Sequence, residues 1–373
     1  MQFSREQEQA LDQVAAWLKK GNSPLFRLFG YAGTGKTTLA RYFAEGIDGA
    51  VQFAAFTGKA AQVLRNKGAS NARTIHSLIY RPRGEEAVED EETGKTNVTP
   101  TFSLNRQSPV SDAKLIVVDE CSMVDEQLGR DLLSFGTPVL VLGDPGQLPP
   151  ISGGGFFTEH EPDFLLTQIH RQAQDNPIIR LAMDVREGRD IAYGDYGAAR
   201  VITRNEINQD IVLKADQVLV GTNRTRKRYN QRLRDLKGFT QSYPQSGDKL
   251  VCLRNDPAKG LLNGSLWQVM TSSRETVKPG INLLVTPEDD DRGAAKIKLL
   301  KAAFEEQESE ISWQLKKRYD DFDYGYALTV HKAQGSQWDD VVLFDESFAF
   351  RDMRERWLYT AITRAAQQLV IVR

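Results

Sequence analysis

Gly30-Tyr31-Ala32-Gly33-Thr34-Gly35-Lys36-Thr37 lies between an apolar run, Leu25-Phe26-Arg27-Leu28-Phe29, and a helical pattern, Thr38-Leu39-Ala40-Arg41-Tyr42-Phe43-Ala44. A G-x-x-x-x-G-K-[ST] loop in a strand–loop–helix setting predicts a P-loop, and commits this part of the chain to an α/β layer. Its glycines let the backbone amides of Gly33, Thr34, Gly35, Lys36, Thr37 and Thr38 converge on phosphate oxygens. The helix N-terminus behind them adds positive partial charge. Lys36 is placed to reach the β- and γ-phosphates, and the Thr37 hydroxyl to ligate Mg²⁺. An ordinary glycine-rich turn would need neither the full pattern nor these flanks. The expected ligand is a nucleoside triphosphate.

Apolar strand candidates at 25–29, 50–56, 115–119 and 138–143 alternate with helical patterns at 4–19, 37–45, 58–67 and 125–134. Near-continuous apolar strands between helices predict a parallel sheet covered on both faces. A second series begins at Phe164-Leu165-Leu166 and a helix from Pro177 to Glu187 stopped by Gly188. It continues through 217–220, 326–329 and 341–345, a helix at 351–364, and a final strand at 368–372. Two stretches break the alternation. Residues 82–112 are polar and acidic, with a hairpin turn expected near Thr93-Gly94-Lys95; residues 246–322 hold closely spaced short β-runs that suggest a small barrel.

The 373 residues carry a net charge of −2, so a polyanion would have to be held in a local basic groove. Arg224, Arg226, Lys227, Arg228, Arg232, Arg234 and Lys237 crowd one helix candidate that could supply it, or could simply be a solvated face. The opposite sign gathers in Glu85-Glu86-Ala87-Val88-Glu89-Asp90-Glu91-Glu92, which reads as a solvated loop. No apolar run is long enough to span a bilayer, and no secretory segment follows Met1. Cys121 and Cys252 are too few for a disulfide framework, and His76, His160, His170 and His331 are dispersed. These features predict a cytoplasmic protein in a reducing compartment.

Leu115-Ile116-Val117-Val118-Asp119-Glu120 is an apolar strand ending in two carboxylates. Asp119 at the strand's C-terminal end is suited to hold Mg²⁺ and Glu120 to polarise an attacking water, on the edge where the P-loop also lies. With the motifs that follow, in this order, the chain resembles superfamily 1 DNA helicases, and within them the RecD-like branch that includes the Dda helicase of phages. Ser4-Arg5-Glu6-Gln7 looks like the Q motif, in which Gln7 would recognise adenine; it also reads as a capping box. Phe56-Thr57-Gly58-Lys59-Ala60-Ala61 and Thr74-Ile75-His76-Ser77-Leu78 resemble motifs that face single-stranded DNA.

Gly143-Asp144-Pro145-Gly146-Gln147-Leu148-Pro149-Pro150 is similar to the family's coupling motif, in which Gln147 would sense the γ-phosphate. Ile169-His170-Arg171-Gln172 and Tyr359-Thr360-Ala361-Ile362-Thr363-Arg364 resemble the motifs that carry two arginine fingers, Arg171 and Arg364. In Thr329-Val330-His331-Lys332-Ala333-Gln334-Gly335-Ser336 the resemblance turns Thr329 and His331 toward DNA, and Gln334, Gly335 and Ser336 toward the nucleotide.

The resemblance implies an α/β fold of two RecA-like P-loop domains. Residues 1–162 would form the first, with 82–112 as a pin-like hairpin whose aromatic tip is Phe102. Residues 163–373 would form the second, with 246–322 as an SH3-like insertion. It further implies a functional monomer that uses ATP and Mg²⁺ to move 5′→3′ on single-stranded DNA and unwind duplex at ss/ds junctions. DNA replication, repair or recombination proteins of a bacterial or phage-infected host cell would be its partners. The rival readings are a P-loop ATPase that remodels proteins, an RNA helicase of the same superfamily, and a translocase that strips proteins from single strands.

Overall fold

A computed structural model describes the chain except for residues 1–2, 90–95, 150–154, 170–174, 257–258, 273–278, 289–292, 306–312 and 317. The strands Arg73–Thr74, Val51–Ala55, Leu115–Asp119, Val139–Gly143, Leu25–Gly30 and Phe164–Leu166 lie side by side in that order, all parallel. Alternation along the strands feeds two cores. Leu115, Val117, Leu140, Leu142, Phe26 and Leu28 meet helix residues Ala10, Val14, Leu39, Ala60 and Leu64 on one face. Ile116, Val118, Val139, Val141, Leu25 and Phe29 meet Ile75, Leu78, Leu128 and Leu132 on the other. Period two in a strand with helices on both sides requires this division.

Phe164–Leu166 corrects the expected division of the chain: it is not the start of the second series. It pairs with the P-loop strand, Leu28 opposite Phe164 and Gly30 opposite Leu166. The missing side chain of Gly30 admits it, since a Cβ there would lie 2.8 Å from Leu166 Cβ. Glu6 fixes the exit, its carboxylate accepting from the Thr167 and Gln168 amides at 3.0 and 2.8 Å.

The second sheet runs Ala327–Thr329, Gln217–Val220, Trp338–Phe344, Ala365–Val372, Ala199–Ile202, Gly194–Asp195, with only the last pairing antiparallel. Ala199–Ile202 escaped the sequence reading because four residues, entered from a turn at Gly194 and Gly197, carry little period. Five antiparallel strands, Ala295–Leu300, Gly280–Pro287, Leu266–Ser272, Lys249–Cys252 and Phe322–Tyr324, form a third sheet where the short β-runs were expected. The acidic stretch is a hairpin, Tyr80–Glu89 against Thr96–Leu104, and its expected turn at 93–95 falls outside the described residues.

The cation-rich stretch forms the single helix Asn223–Leu236, but two of its charges point inward. Arg234 is fully buried and binds Asp248 twice, Nε to Oδ1 at 2.9 Å and Nη2 to Oδ2 at 3.0 Å. Tyr326 Oη donates to the same carboxylate at 2.9 Å, and the Tyr324 ring lies 4.2 Å from the guanidinium. Arg226 Nη1 reaches Asp323 at 2.6 Å. The basic groove is therefore smaller than the sequence suggested, because these two arginines bind the helix to the antiparallel sheet. Removing one partner of a buried pair strands the other charge. Arg234→Met should destabilise the protein by about 3–5 kcal/mol in a urea titration, against little change for the exposed Arg232→Met.

Candidate nucleotide site and nucleic-acid interface

The P-loop turns through Gly33 and Gly35 with φ of +80° and +82°, a region only glycine enters without strain. The helix Lys36–Glu45 follows directly, placing Thr37 and Thr38 in its first turn. Lys36 Nζ donates to the carbonyls of Gly30 and Tyr31, weak neutral acceptors that a phosphate would replace. Gln7 does form the capping box with Ser4, in both directions, and its Nε2 also donates to Thr34 O at 3.0 Å. The helix Arg5–Lys20 thus braces the P-loop through a side chain expected to read adenine.

Thr37 Oγ1 donates to Asp119 Oδ2 at 2.8 Å across the strand ends. Burial, and next the Glu120 charge, push the Asp119 carboxyl above its usual range. Carboxylate and hydroxyl oxygens so close, in a site that penalises negative charge, fit a hard divalent cation. Glu120 has φ +51°, rare for a residue with a side chain, and such strain is found where a group must be aimed. Gln147 is buried and its Oε1 has no hydrogen-bond partner among the described residues, an acceptor suited to orienting a water.

The second sheet reaches this site through the helix Arg354–Ile362, whose last two turns are buried. Tyr359 Oη accepts from the Ala32 amide and donates to Asp144 Oδ2, both at 2.8 Å. Thr360 Oγ1 accepts from Leu148 N at 2.9 Å, and Gln334 Nε2 donates to Leu148 O at 2.9 Å. The Leu148 side chain, 2% exposed, packs in the second sheet's core beside Trp357 and Leu358. Arg364 is buried and binds Thr360 O, Ser336 O and Thr363 Oγ1, each at 3.1 Å. Arg171 falls outside the described residues.

Among the residues expected at a nucleic acid, Thr57, Lys59 and Thr329 form one group and His76 and Phe102 another. Thr57 caps the helix Gly58–Asn66, accepting from Ala60 N at 3.1 Å. Gly335, expected at the nucleotide, has Ala60 and Thr57 as nearest neighbours, at 2.9 and 3.3 Å from a Cβ built on it. The loop of the antiparallel sheet joins them: Leu262 Cβ would lie 2.7 Å from a Cβ on Gly58, and Lys332 Nζ donates to Asn263 at 2.7 Å. Lys59 is buried beside this junction, and Thr329 is buried with its Oγ1 accepting from Lys332 N.

His76 belongs to a second group, 5.3 Å from the Tyr80 ring and 6.4 Å from Phe102. Burial lowers its pKa, opposed by Asp125. Phe102 is 50% exposed, yet it pairs with Pro82 near the root of the hairpin and is not at a tip. Its aromatic neighbours, which the sequence could not place, hold it there. His331 is half-buried, 5.5 Å from Phe350, and burial lowers its pKa too.

Sequence reasoning missed Tyr359, Thr360 and Arg186. The Arg186 guanidinium lies 3.8 Å over the Tyr31 ring of the P-loop, with a buried Nη1 that has no partner among the described residues. Helical spacing held part of the signal, since Thr360 and Arg364 are four apart on one face.

The AAA domain family matches residues 2–206, more than half of the chain, and the UvrD-like helicase C-terminal domain matches residues 324–372. The ATP-dependent RecD2 DNA helicase of Deinococcus radiodurans is 29% identical over 97% of this chain and 48% of its own. The ATP-dependent DNA helicase Dda of phage T4 is 30% identical over 43% of this chain and 37% of its own. The chain spans about half or less of the length of the first curated relatives it matches. Among solved structures, Pif1 helicase from Bacteroides with ADP-AlF3 and ssDNA superposes with a TM-score of 0.58 at 19% identity, covering 100% of this chain and 92% of that one. That likeness establishes two RecA-like domains. The chain belongs to the AAA-domain P-loop family, and its relatives of similar sequence and fold are RecD- and Pif1-like helicases.

Proposed function

We propose that the chain is an ATP-driven motor that moves 5′→3′ along single-stranded DNA and separates duplex ahead of it. The observation that carries this reading is the Asp144–Leu148 segment, which follows a strand of the first sheet and is bound by Tyr359, Thr360 and Gln334 of the second. A nucleotide held at such a junction couples to the relative position of two bodies, which is what a stepping motor needs. The relatives named as DNA helicases, and the Pif1 structure with ssDNA, support DNA as the track.

In this reading ATP lies on the P-loop amides of Gly33 to Thr38, with Lys36 against the β- and γ-phosphates and Gln7 on the adenine side. Thr37 and Asp119 would hold Mg²⁺, which supplies charge neutralisation on the phosphates. Glu120 accepts the proton of the attacking water and Gln147 orients it. Arg171 and Arg364 stand against the charge of phosphoryl transfer; an arginine in this role contributes about 10³–10⁵ in rate. Arg364 must exchange its present carbonyl partners for phosphate as the site fills.

Thr57, Lys59, His76, Phe102, Thr329 and His331 line the strand's path over both domains. The two moving bodies are residues 1–162 together with the Phe164–Leu166 strand, and the rest of 163–373. The hairpin serves as the pin and the antiparallel sheet, spanning the expected 246–322, as the SH3-like insertion. The motor works as a monomer in the cytoplasm with replication or recombination proteins.

Glu120→Gln should bind ATP with near-wild-type affinity and turn it over at least about 10²-fold more slowly, the usual contribution of a general base. Near-normal turnover would remove Glu120 from that role. Partial duplexes with a 5′ single-stranded tail should be unwound in a strand-displacement assay and those with only a 3′ tail left paired; the reverse preference would overturn the direction. Replacing residues 85–105 by a short Gly/Ser linker should reduce strand separation far more than ATP turnover, because the hairpin lies off both sheets. Equal loss of both would make the hairpin a structural support.

A further inference from the structure

The Tyr359 hydroxyl stands between two parts of the nucleotide machinery that both belong to the opposite domain. It accepts from the Ala32 amide at 2.8 Å and donates to Asp144 Oδ2 at 2.8 Å, while Asp144 Oδ1 accepts from the Gly146 amide at 2.9 Å. A backbone amide can only donate, so the phenol accepts from Ala32 and its own proton is left for the Asp144 carboxyl. The ring reaches this place because residue 146 is glycine, where a Cβ would lie 2.9 Å from the ring edge. Tyr359 is 1% exposed.

Ala32 is the third residue of the P-loop, next to Gly33, and Asp144 opens the segment that ends at Leu148. The neighbouring residue Thr360 holds Leu148 N, and the same helix leads on to Arg364. The P-loop, the coupling segment and the arginine are thus in contact with one turn of one helix. We infer that Tyr359 is a positioning residue for turnover. Its hydroxyl completes a relay, Ala32 N–H to Tyr359 O–H to Asp144, that ties the state of the P-loop to the Asp144–Leu148 segment and to the seat of Arg364. This rests on the motor reading above.

The relay forms only while the two sheets are closed on each other. Opening them would break both hydrogen bonds of the phenol together and leave the carboxylate and the P-loop amide to find other partners. Tyr359 touches no phosphate in this account. Its hydroxyl acts through Ala32 and Asp144, and its effect belongs on turnover more than on nucleotide affinity.

Tyr359→Phe keeps the ring and deletes the relay. In the full chain it should keep the wild-type melting temperature and bind a non-hydrolysable ATP analogue with Mg²⁺ within about threefold, while kcat for ATP falls about tenfold, the size of one hydrogen bond to a charged group. Asp144→Asn breaks the same relay from its other end and should give a comparable loss. The double variant should be no slower than the worse single, since the two act as one unit. Wild-type kcat for Tyr359→Phe, losses that multiply in the double variant, or a fall in analogue affinity equal to the fall in kcat would each overturn the inference. The cycle needs no nucleic acid. A wild-type ATPase indifferent to single strands would defeat the motor reading, while non-additivity between Tyr359→Phe and Asp144→Asn would still establish the relay.

Discussion

Leu148 is the residue on which the arrangement of the two sheets depends. It follows the last residues of a first-sheet strand, yet its side chain is buried among Trp357, Leu358 and Val330 in the core of the second. Its amide and carbonyl are both taken by second-sheet residues, Thr360 and Gln334. A residue continuous with a first-sheet strand, whose side chain and both backbone groups are held by the second, cannot follow both if the sheets separate. Burial of a leucine, about 1.5–3 kcal/mol, and two hydrogen bonds therefore oppose any opening.

The site is built unequally around that junction. The first sheet supplies a rigid cradle: glycine turns, a helix N-terminus and the Thr37–Asp119 contact, all set by strands whose inward residues are buried on both faces. The second sheet supplies groups that are already satisfied by their own chain, above all Arg364 with three internal partners. Two neutral carbonyls and a hydroxyl satisfy this arginine within its own domain, each a weaker acceptor than a phosphate. The antiparallel sheet braces the other side of the junction, with its Leu262–Asn263 loop set against Gly58 and Lys332.

Much of this was legible in the sequence because it is periodic or tied to a local motif. The parallel strands of the first sheet, the P-loop and the Asp119-Glu120 pair follow from apolar runs and from residues adjacent in the chain. What was not legible depends on who meets whom. Phe164-Leu165-Leu166 looks like any short apolar strand, and nothing in it names Leu25–Gly30 as its neighbour. Arg234 is indistinguishable in sequence from Arg232, although one is buried against Asp248 and the other is exposed. Phe102 was placed at a tip because the acidic run hid the strand register, which sets it near the root beside Tyr80 and His76. Tyr359 lay in view inside its motif, but its role needs a partner 327 residues away in Ala32.

The central claim is that ATP turnover at the P-loop and the grip on a nucleic-acid strand are one process, coupled through the Asp144–Leu148 segment. Steady-state ATP hydrolysis by the intact chain, measured with and without single-stranded DNA or single-stranded RNA of equal length, tests it most directly. The account predicts turnover that rises severalfold with single-stranded DNA and saturates with strand concentration. Turnover unchanged by either strand would contradict it, and a rise with RNA alone would keep the motor but change its track.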